Sequence, residues 1–183
     1  MFKKIIIALI MSIITVSVNA FAVDIDSIIP NSSLWGCSRD ELKEVYDVNF
    51  TPCNIGKKKG LMISDVSVES YNMNEYFVFN ERMNTPQGQS YLGLSKIALI
   101  LNGKYEKDFR KQCYNDLVDD MKNTYGEPDS EENYLSVWNR DEYKVQIGTG
   151  KFEKYTGSKD YSVAIIITGI NINTTRAMNS PTV

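Results

Sequence analysis

The stretch KDFRKQCYNDLVDDMKNTYGEP, residues 107–128, decides how the rest of the chain must be arranged. Phe109, Cys113, Leu117, Met121 and Tyr125 recur every fourth residue with Val118 beside them, while Lys107, Arg110, Lys111, Asp116, Asp119 and Lys122 take the other faces. An apolar stripe and a charged surface at this spacing predict an amphipathic helix lying on a core. Gly126 offers the left-handed stop, and Pro128 prevents resumption. One long helix in the second half of the chain leaves a segment on each side, and both are rich in strand-forming residues.

Before it, LMISDVSVE (61–69) and EYFVFNE (75–81) are β-branched or aromatic, with turn-forming residues between them. SKIALIL (95–101) is apolar on both faces and closed by Asn102-Gly103, as expected of a central strand. After it come YLSVW (134–138), EYKVQIG (142–148) and YSVAIIITGI (161–170), with Asp141-Glu142 as turn residues between the first two. Val145 and Ile147 point one way and Lys144 and Gln146 the other. A first helix precedes all of these. Ser38 and Glu41 form the reciprocal capping box, Cys37 and Leu42 occupy the positions of a hydrophobic staple, and the helix ends near Asp47. The order is α-βββ-α-βββ. Hairpin-length connections imply an α+β domain with an antiparallel sheet of about six strands, one face covered by two helices. The two αβββ halves are compatible with a duplication, although no residue match supports one.

The N-terminus is of a different kind. Lys3 and Lys4 precede an apolar-to-small run from Ile5 to Val18, and Ala20-Phe21-Ala22 follows. A basic start, a short greasy core and an A-x-A site predict a secretory signal peptide over residues 1–22, cleaved after Ala22. The run is shorter than the ~20 residues of a comfortable span, although an uncleaved anchor is the alternative. Cleavage removes two lysines and no acid, leaving 18 basic residues against 23 acidic ones, net −5. Such a balance argues against a nucleic-acid partner. No later stretch is apolar for long enough to cross a bilayer, so no membrane span is expected after cleavage. Residues 23–170 read as one domain and 171–183 as a polar, frayed tail. The expected location is periplasmic or secreted.

Leu34-Trp35-Gly36-Cys37 has the outline of a lipidation signal, but Asp24, Asp26 and Pro30 separate it from the greasy core. Bulky Trp35 also stands where a small residue is usual, so Cys37 belongs to the folded domain. Trp35-Gly36-x-Ser38-x-Asp40-Glu41-Leu42, with Tyr125-Gly126-x-Pro128 closing the second helix, resembles a pattern in small bacterial exported proteins and lipoproteins that open with Trp-Gly-x-Ser. More distantly, the element order is similar to the β-lactamase-inhibitor-like and outer-membrane assembly lipoprotein folds. The motif covers about a dozen residues, largely a helix cap and a helix stop. The resemblance implies a binding or envelope-associated role rather than catalysis and transfers no functional residue.

Export would place Cys37, Cys53 and Cys113 where disulfides persist. Cys113 lies on the helix stripe, which favours a buried thiol. Cys37 and Cys53 flank the first helix, whose ~13 Å rise the extended residues before Cys53 can retrace. A Cys37–Cys53 bridge is preferred and would contribute ~3 kcal/mol. Pairing with Cys113, or no bridge, are the alternatives.

The chain has no histidine. That excludes Ser-His-Asp and Cys-His machinery and imidazole-containing zinc sets, and no metal or other cofactor is expected. The acids of DSEEN (129–133) lack the ligand alternation of a calcium loop and read as a solvated loop. GKKKG (56–60) reads as a soluble turn, with acidic partners or lipid headgroups as the alternative. IGTGK (147–151) lacks the Ser/Thr ending of a phosphate loop and reads as a hairpin. Asp65 and Glu69 share a strand without the facing arrangement of a glycosidase pair. Trp138 reads as core. Tyr71, Tyr76 and Tyr91, near strand ends and loops, are the candidate binding surface.

Together these features favour a non-enzymatic binding or envelope-associated module whose partner is a protein or glycan of the envelope or extracellular space. The alternative is a carboxylate-dependent secreted hydrolase acting on an extracellular polymer; a purely structural protein is a third reading.

Overall fold

The computed structural model describes residues 34–46, 48–80 and 93–170 of the chain. The leader, Asp47, Tyr91 and the tail from residue 171 lie outside them. The opening helix, α1 (Arg39–Val45), starts where its cap dictates. Glu41 N–H donates to Ser38 Oγ at 3.2 Å, and Ser38 N–H donates to Glu41 Oε2 at 2.6 Å. Both members of the staple, Cys37 and Leu42, are buried in the main core. Four strands follow: β1 (Thr51–Ile55), β2 (Lys58–Val68), β3 (Tyr71–Asn80) and β4 (Gly93–Leu101). The long helix α2 (Lys107–Tyr125) separates them from β5 (Ser130–Glu132), β6 (Leu135–Asn139) and β7 (Tyr143–Lys151). One turn of helix, α3 (Glu153–Thr156), leads to β8 (Tyr161–Gly169).

The fold is α+β, with eight strands and three helices among the described residues rather than six and two. All pairings are antiparallel, in the order β1-β2-β3-β4-β8-β7-β6-β5. The first half contributes α1 and the meander β1–β4, the second α2 and the meander β5–β8 with α3 between its last two strands, and β4 and β8 join the halves at the centre. The two unforeseen strands are the sheet's edges, where burial imposes little apolar pattern: β1 turns only Cys53 and Ile55 inward and β5 turns none. β1 carries Pro52, which an edge strand tolerates. β5 is Ser-Glu-Glu and fully exposed, a composition that discourages edge-to-edge association.

Two further sequence expectations change. GKKKG is a turn only at Gly56-Lys57, where Gly56 has φ 61°; Lys58 already pairs with Ile55. IGTGK is no hairpin, because β7 runs through it and Gly148, Thr149 and Gly150 pair with Ala164, Val163 and Ser162.

Strand parity assigns side chains to two faces. One face carries Leu61, Phe77, Ile97, Leu99, Ile165, Ile147 and Trp138, and α1 and α2 cover it. From α2 it receives Cys113, Tyr114, Leu117, Val118 and Met121. Phe109, expected on the stripe, is 39% exposed and stacks on Tyr105 at the helix start. Tyr114 takes a buried place instead, sharing a 2.7 Å hydrogen bond with Ser136. Trp138 is core as expected, and its Nε1–H donates to the Gly126 carbonyl at 2.9 Å, fastening the stop of α2 to β6. The opposite face holds a smaller cluster of Ile55, Tyr76, Val78, Ala98, Ile100, Ala164 and Tyr155. Among the described residues no helix is long and apolar enough to cross a membrane.

No disulfide joins the three cysteines. Cys37 lies in the cluster under α1, whereas Cys53 packs with the smaller cluster on the other face of the sheet. Chain reach allowed their approach; the sheet stands between them. Cys113 is buried on α2, and its thiol is pushed up to about 12, first by burial and then by Asp116.

Candidate functional site

The smaller cluster is covered only in part. Phe152 precedes α3, whose Tyr155 turns inward to meet Tyr76 edge-on with ring centres 5.7 Å apart. Gly157 adopts the left-handed conformation at φ 72°, ending the helix after a single turn. Gly56 N–H donates to the Lys154 carbonyl at 2.7 Å and pins this turn beside β1. Beyond α3, where β3 and β4 approach the start of β8, a cavity of about 300 Å³ opens.

Tyr76, Ile100 and Phe152 line it from the smaller-cluster face, and Tyr161 at the start of β8 borders it. Its rim is polar: Asn74 and Asn102 from the strand ends, Lys104 from the link to α2, and Ser158 and Asp160 from the link after α3. The rim is internally ordered. Lys104 Nζ lies 3.4 Å from Asp160 Oδ1, and Ser158 Oγ donates to Asp160 Oδ2 at 3.1 Å. The hydrogen bond from Ser158, followed by Lys104, holds the Asp160 carboxyl below its ordinary range. Asp160 is therefore an ionised acceptor at neutral pH. Burial raises the Tyr76 hydroxyl, while a hydrogen bond with Asn74 opposes that shift, so Tyr76 is a neutral phenol.

Asp65, considered for acid catalysis, anchors this rim instead. It occupies a bulge between Ile63 and Val66 at φ 59°, and Oδ1 accepts from both Asn72 Nδ2 and Asn102 Nδ2 at 3.1 Å. Glu69 stands at φ 53° in the turn before β3. The two do not face one another across a groove. In the DSEEN segment, Asp129 Oδ2 accepts from the Asn139 N–H at 2.5 Å and Glu131 pairs with Lys122 at 3.2 Å, so these acids fasten the α2–β6 corner.

The tyrosines chosen from sequence do not form one surface. Tyr76 lines the cavity. Tyr71 points to the opposite face, where its hydroxyl donates to Asp116 Oδ2 at 2.5 Å and its ring meets Phe109. Tyr91 lies outside the described residues.

A second cleft of about 280 Å³ lies on the helix-covered side and shares one lining residue with the first, Tyr161, which is 53% exposed. Its other lining residues are Lys107, Arg110 and Lys111 of α2, Thr149 of β7, and Tyr134 from the β5–β6 turn. The Arg110 guanidinium lies 5.9 Å from the Tyr161 ring centre and Lys151 Nζ lies 5.3 Å from it.

Sequence inspection missed Phe152, Asp160 and Tyr161 because the site is assembled from both halves of the chain. The one local signal was Tyr161 itself, an aromatic residue at the polar start of an otherwise apolar strand. Among the described residues no group of three or more acidic or sulfur side chains could hold a metal ion. Compared with protein-family models, curated proteins and solved structures, the chain matches none, so its functional reading stands on this geometry.

Proposed function

We propose that the protein is an exported, non-enzymatic binding module whose ligand is a glycan of the envelope or extracellular space. The carrying observation is the cavity of about 300 Å³, lined by Tyr76, Phe152 and Tyr161, with Asn74, Asn102, Lys104 and Asp160 at the rim. Aromatic rings pack against the C–H faces of a sugar ring, while amide, ammonium and carboxylate groups match its hydroxyls. Pockets that combine an apolar lining with a few fixed polar groups favour small ligands over flat protein surfaces. The leader sequence supports export, and the Trp-Gly-x-Ser resemblance supports an envelope role. The hydrolase alternative would need a second acid facing Asp160, which is the one acid lining this cavity among the described residues.

Affinity electrophoresis of residues 23–183 through gels containing soluble neutral or acidic polysaccharides tests the reading. Retardation by at least one polysaccharide, lost in Phe152→Ala and Tyr161→Ala, is the expected result. No retardation in any gel, together with capture of a single protein from envelope extracts that survives both substitutions, would sink it.

A further inference from the structure

The second cleft has a composition that a neutral sugar does not require. Three cations, Lys107, Arg110 and Lys111, line it with two tyrosines and a threonine, and no acid is among its lining residues. Among the described residues, none of the three cations forms a salt bridge, although Arg110 is near enough to Asp160 to help lower its carboxyl and the chain has 23 acids to 20 bases. Three cations in a recess lined by no acid attract an anion that fits, and a concave site concentrates that attraction.

Arg110 is also held in place. Its Nη1 donates to the Tyr105 carbonyl while its guanidinium overlies Tyr161. A planar guanidinium fixed at two points is organised for two-pronged contact with a carboxylate, sulfate or phosphate. Tyr134 faces it from a hairpin position with φ 60°, next to Asn133 at φ 51°. A two-residue turn of this kind favours glycine at the second place. The tyrosine there holds a sparsely populated backbone conformation, yet it remains 42% exposed at the cleft. The Thr149 N–H, donating to the Tyr134 carbonyl at 3.1 Å, and the edge contact with Tyr114 hold it there.

We infer that this cleft is an anion subsite and that the ligand is an acidic glycan: its charged group sits among Lys107, Arg110 and Lys111, and its charged residue packs between Tyr134 and Tyr161. This inference rests on the glycan reading above. Tyr161 lines both clefts, while strand parity sets Thr149 and Tyr161 on the helix-covered face and Tyr76 and Ile100 on the other. A lipid surface would be met by a convex or flat array of cations, whereas these line a recess bounded by two rings.

Calorimetric titration of the mature chain tests the assignment with five probes: oligogalacturonate, its methyl ester, a chondroitin sulfate oligosaccharide, inorganic phosphate, and phosphatidylglycerol vesicles. At least one acidic oligosaccharide should bind, with affinity falling as salt rises. Arg110→Gln/Lys111→Gln should weaken it tenfold or more, and Lys107→Gln/Lys111→Gln, which leaves Arg110 in place, by a smaller factor. Tyr134→Gly should weaken binding while leaving the thermal midpoint almost unchanged. Equal affinities for oligogalacturonate and its methyl ester, insensitive to the lysine and arginine substitutions, would overturn the acidic assignment but leave a neutral-glycan module standing. Phosphate binding as tight as either acidic oligosaccharide would reduce the cleft to a small-anion site. Vesicle binding without oligosaccharide binding, or no binding to any probe, would overturn the inference; the polysaccharide gels judge the broader reading separately.

Discussion

Glu75 is the residue least expected from its surroundings. It lies on β3 on the helix-covered face, between Met73 and Phe77, and is 6% exposed. Burial raises its carboxyl from the ordinary 4.5 to about 8. The nearby Tyr46 hydroxyl is pushed up to about 12, first by burial and then by Glu75 and Cys37. Between pH 4.5 and 8 the unfolded chain has released the Glu75 proton while the native state still holds it. Stability contributed at this position therefore falls as pH rises through that window and levels off above it. Glu75→Gln keeps the shape and removes the charge, so it should stabilise the protein at pH 8 by about 2 kcal/mol and flatten the pH profile, measured by urea unfolding between pH 4 and 9. A cysteine experiment belongs at the same scale. Native alkylation should modify Cys53 before the buried Cys37 and Cys113, with denaturation exposing all three and reduction leaving the mass unchanged. The capping box was legible because all its atoms lie within four residues. The absence of a Cys37–Cys53 bridge was not, because it depends on strand parity and on which face of the sheet the first helix covers.

At the scale of elements, the corner where α2 ends carries more fastening than its Gly-x-Pro signature suggests. Gly126 takes φ 79°, its N–H donates to the Lys122 carbonyl at 2.9 Å, and its own carbonyl accepts from Trp138. The Arg140 Nη2 donates to the Tyr125 carbonyl at 3.0 Å. Trp138→Phe removes the indole donor and leaves part of its volume unfilled, so a loss of about 2 kcal/mol is expected in chemical denaturation. A parallel Trp138→Tyr variant should not recover it unless its hydroxyl reaches the same carbonyl. Helix α2 was readable from periodicity alone, but which residues at the stripe's margins turn inward was not. Tyr114 is buried because Ser136 on β6 meets its hydroxyl, and Phe109 is exposed because the helix start extends beyond the main cluster. Edge strand β5 lacks an alternating apolar pattern because no layer buries it, whereas β1 shows only two inward residues, Cys53 and Ile55, too few to stand out as a pattern.

Across the whole molecule, charge is distributed unevenly despite a modest net value. On the smaller-cluster face, register places Lys96 of β4 and Lys144 of β7 on either side of Thr168, with Lys58 and Lys154 near the β1–β2 turn. Lys96 is held below its ordinary value first by burial, then by Lys154, Lys144 and Lys58. A lowered lysine destabilises fully at neutral pH, and the penalty is relieved only as pH rises toward the unfolded value. Lys96→Met should therefore raise the thermal midpoint at pH 7, by a smaller margin in high salt, where repulsion is screened. The α+β class and the antiparallel sheet were legible, since strand runs and short links specify them. The candidate site was not, because Asn74, Lys104, Phe152 and Tyr161 become neighbours only after the halves join. That junction, β4 against β8 through Lys96–Ile100 and Ala164–Thr168, is also, among the described residues, the one strand pairing not made between sequence-adjacent strands. It has a consequence in time as well as space. Each meander can form from local hairpins, while the closing pair must wait for a loop of more than sixty residues to be organised by α2. Refolding should therefore proceed in two stages, with pulse-labelled amides of β2–β3 and β6–β7 protected before those shared by β4 and β8.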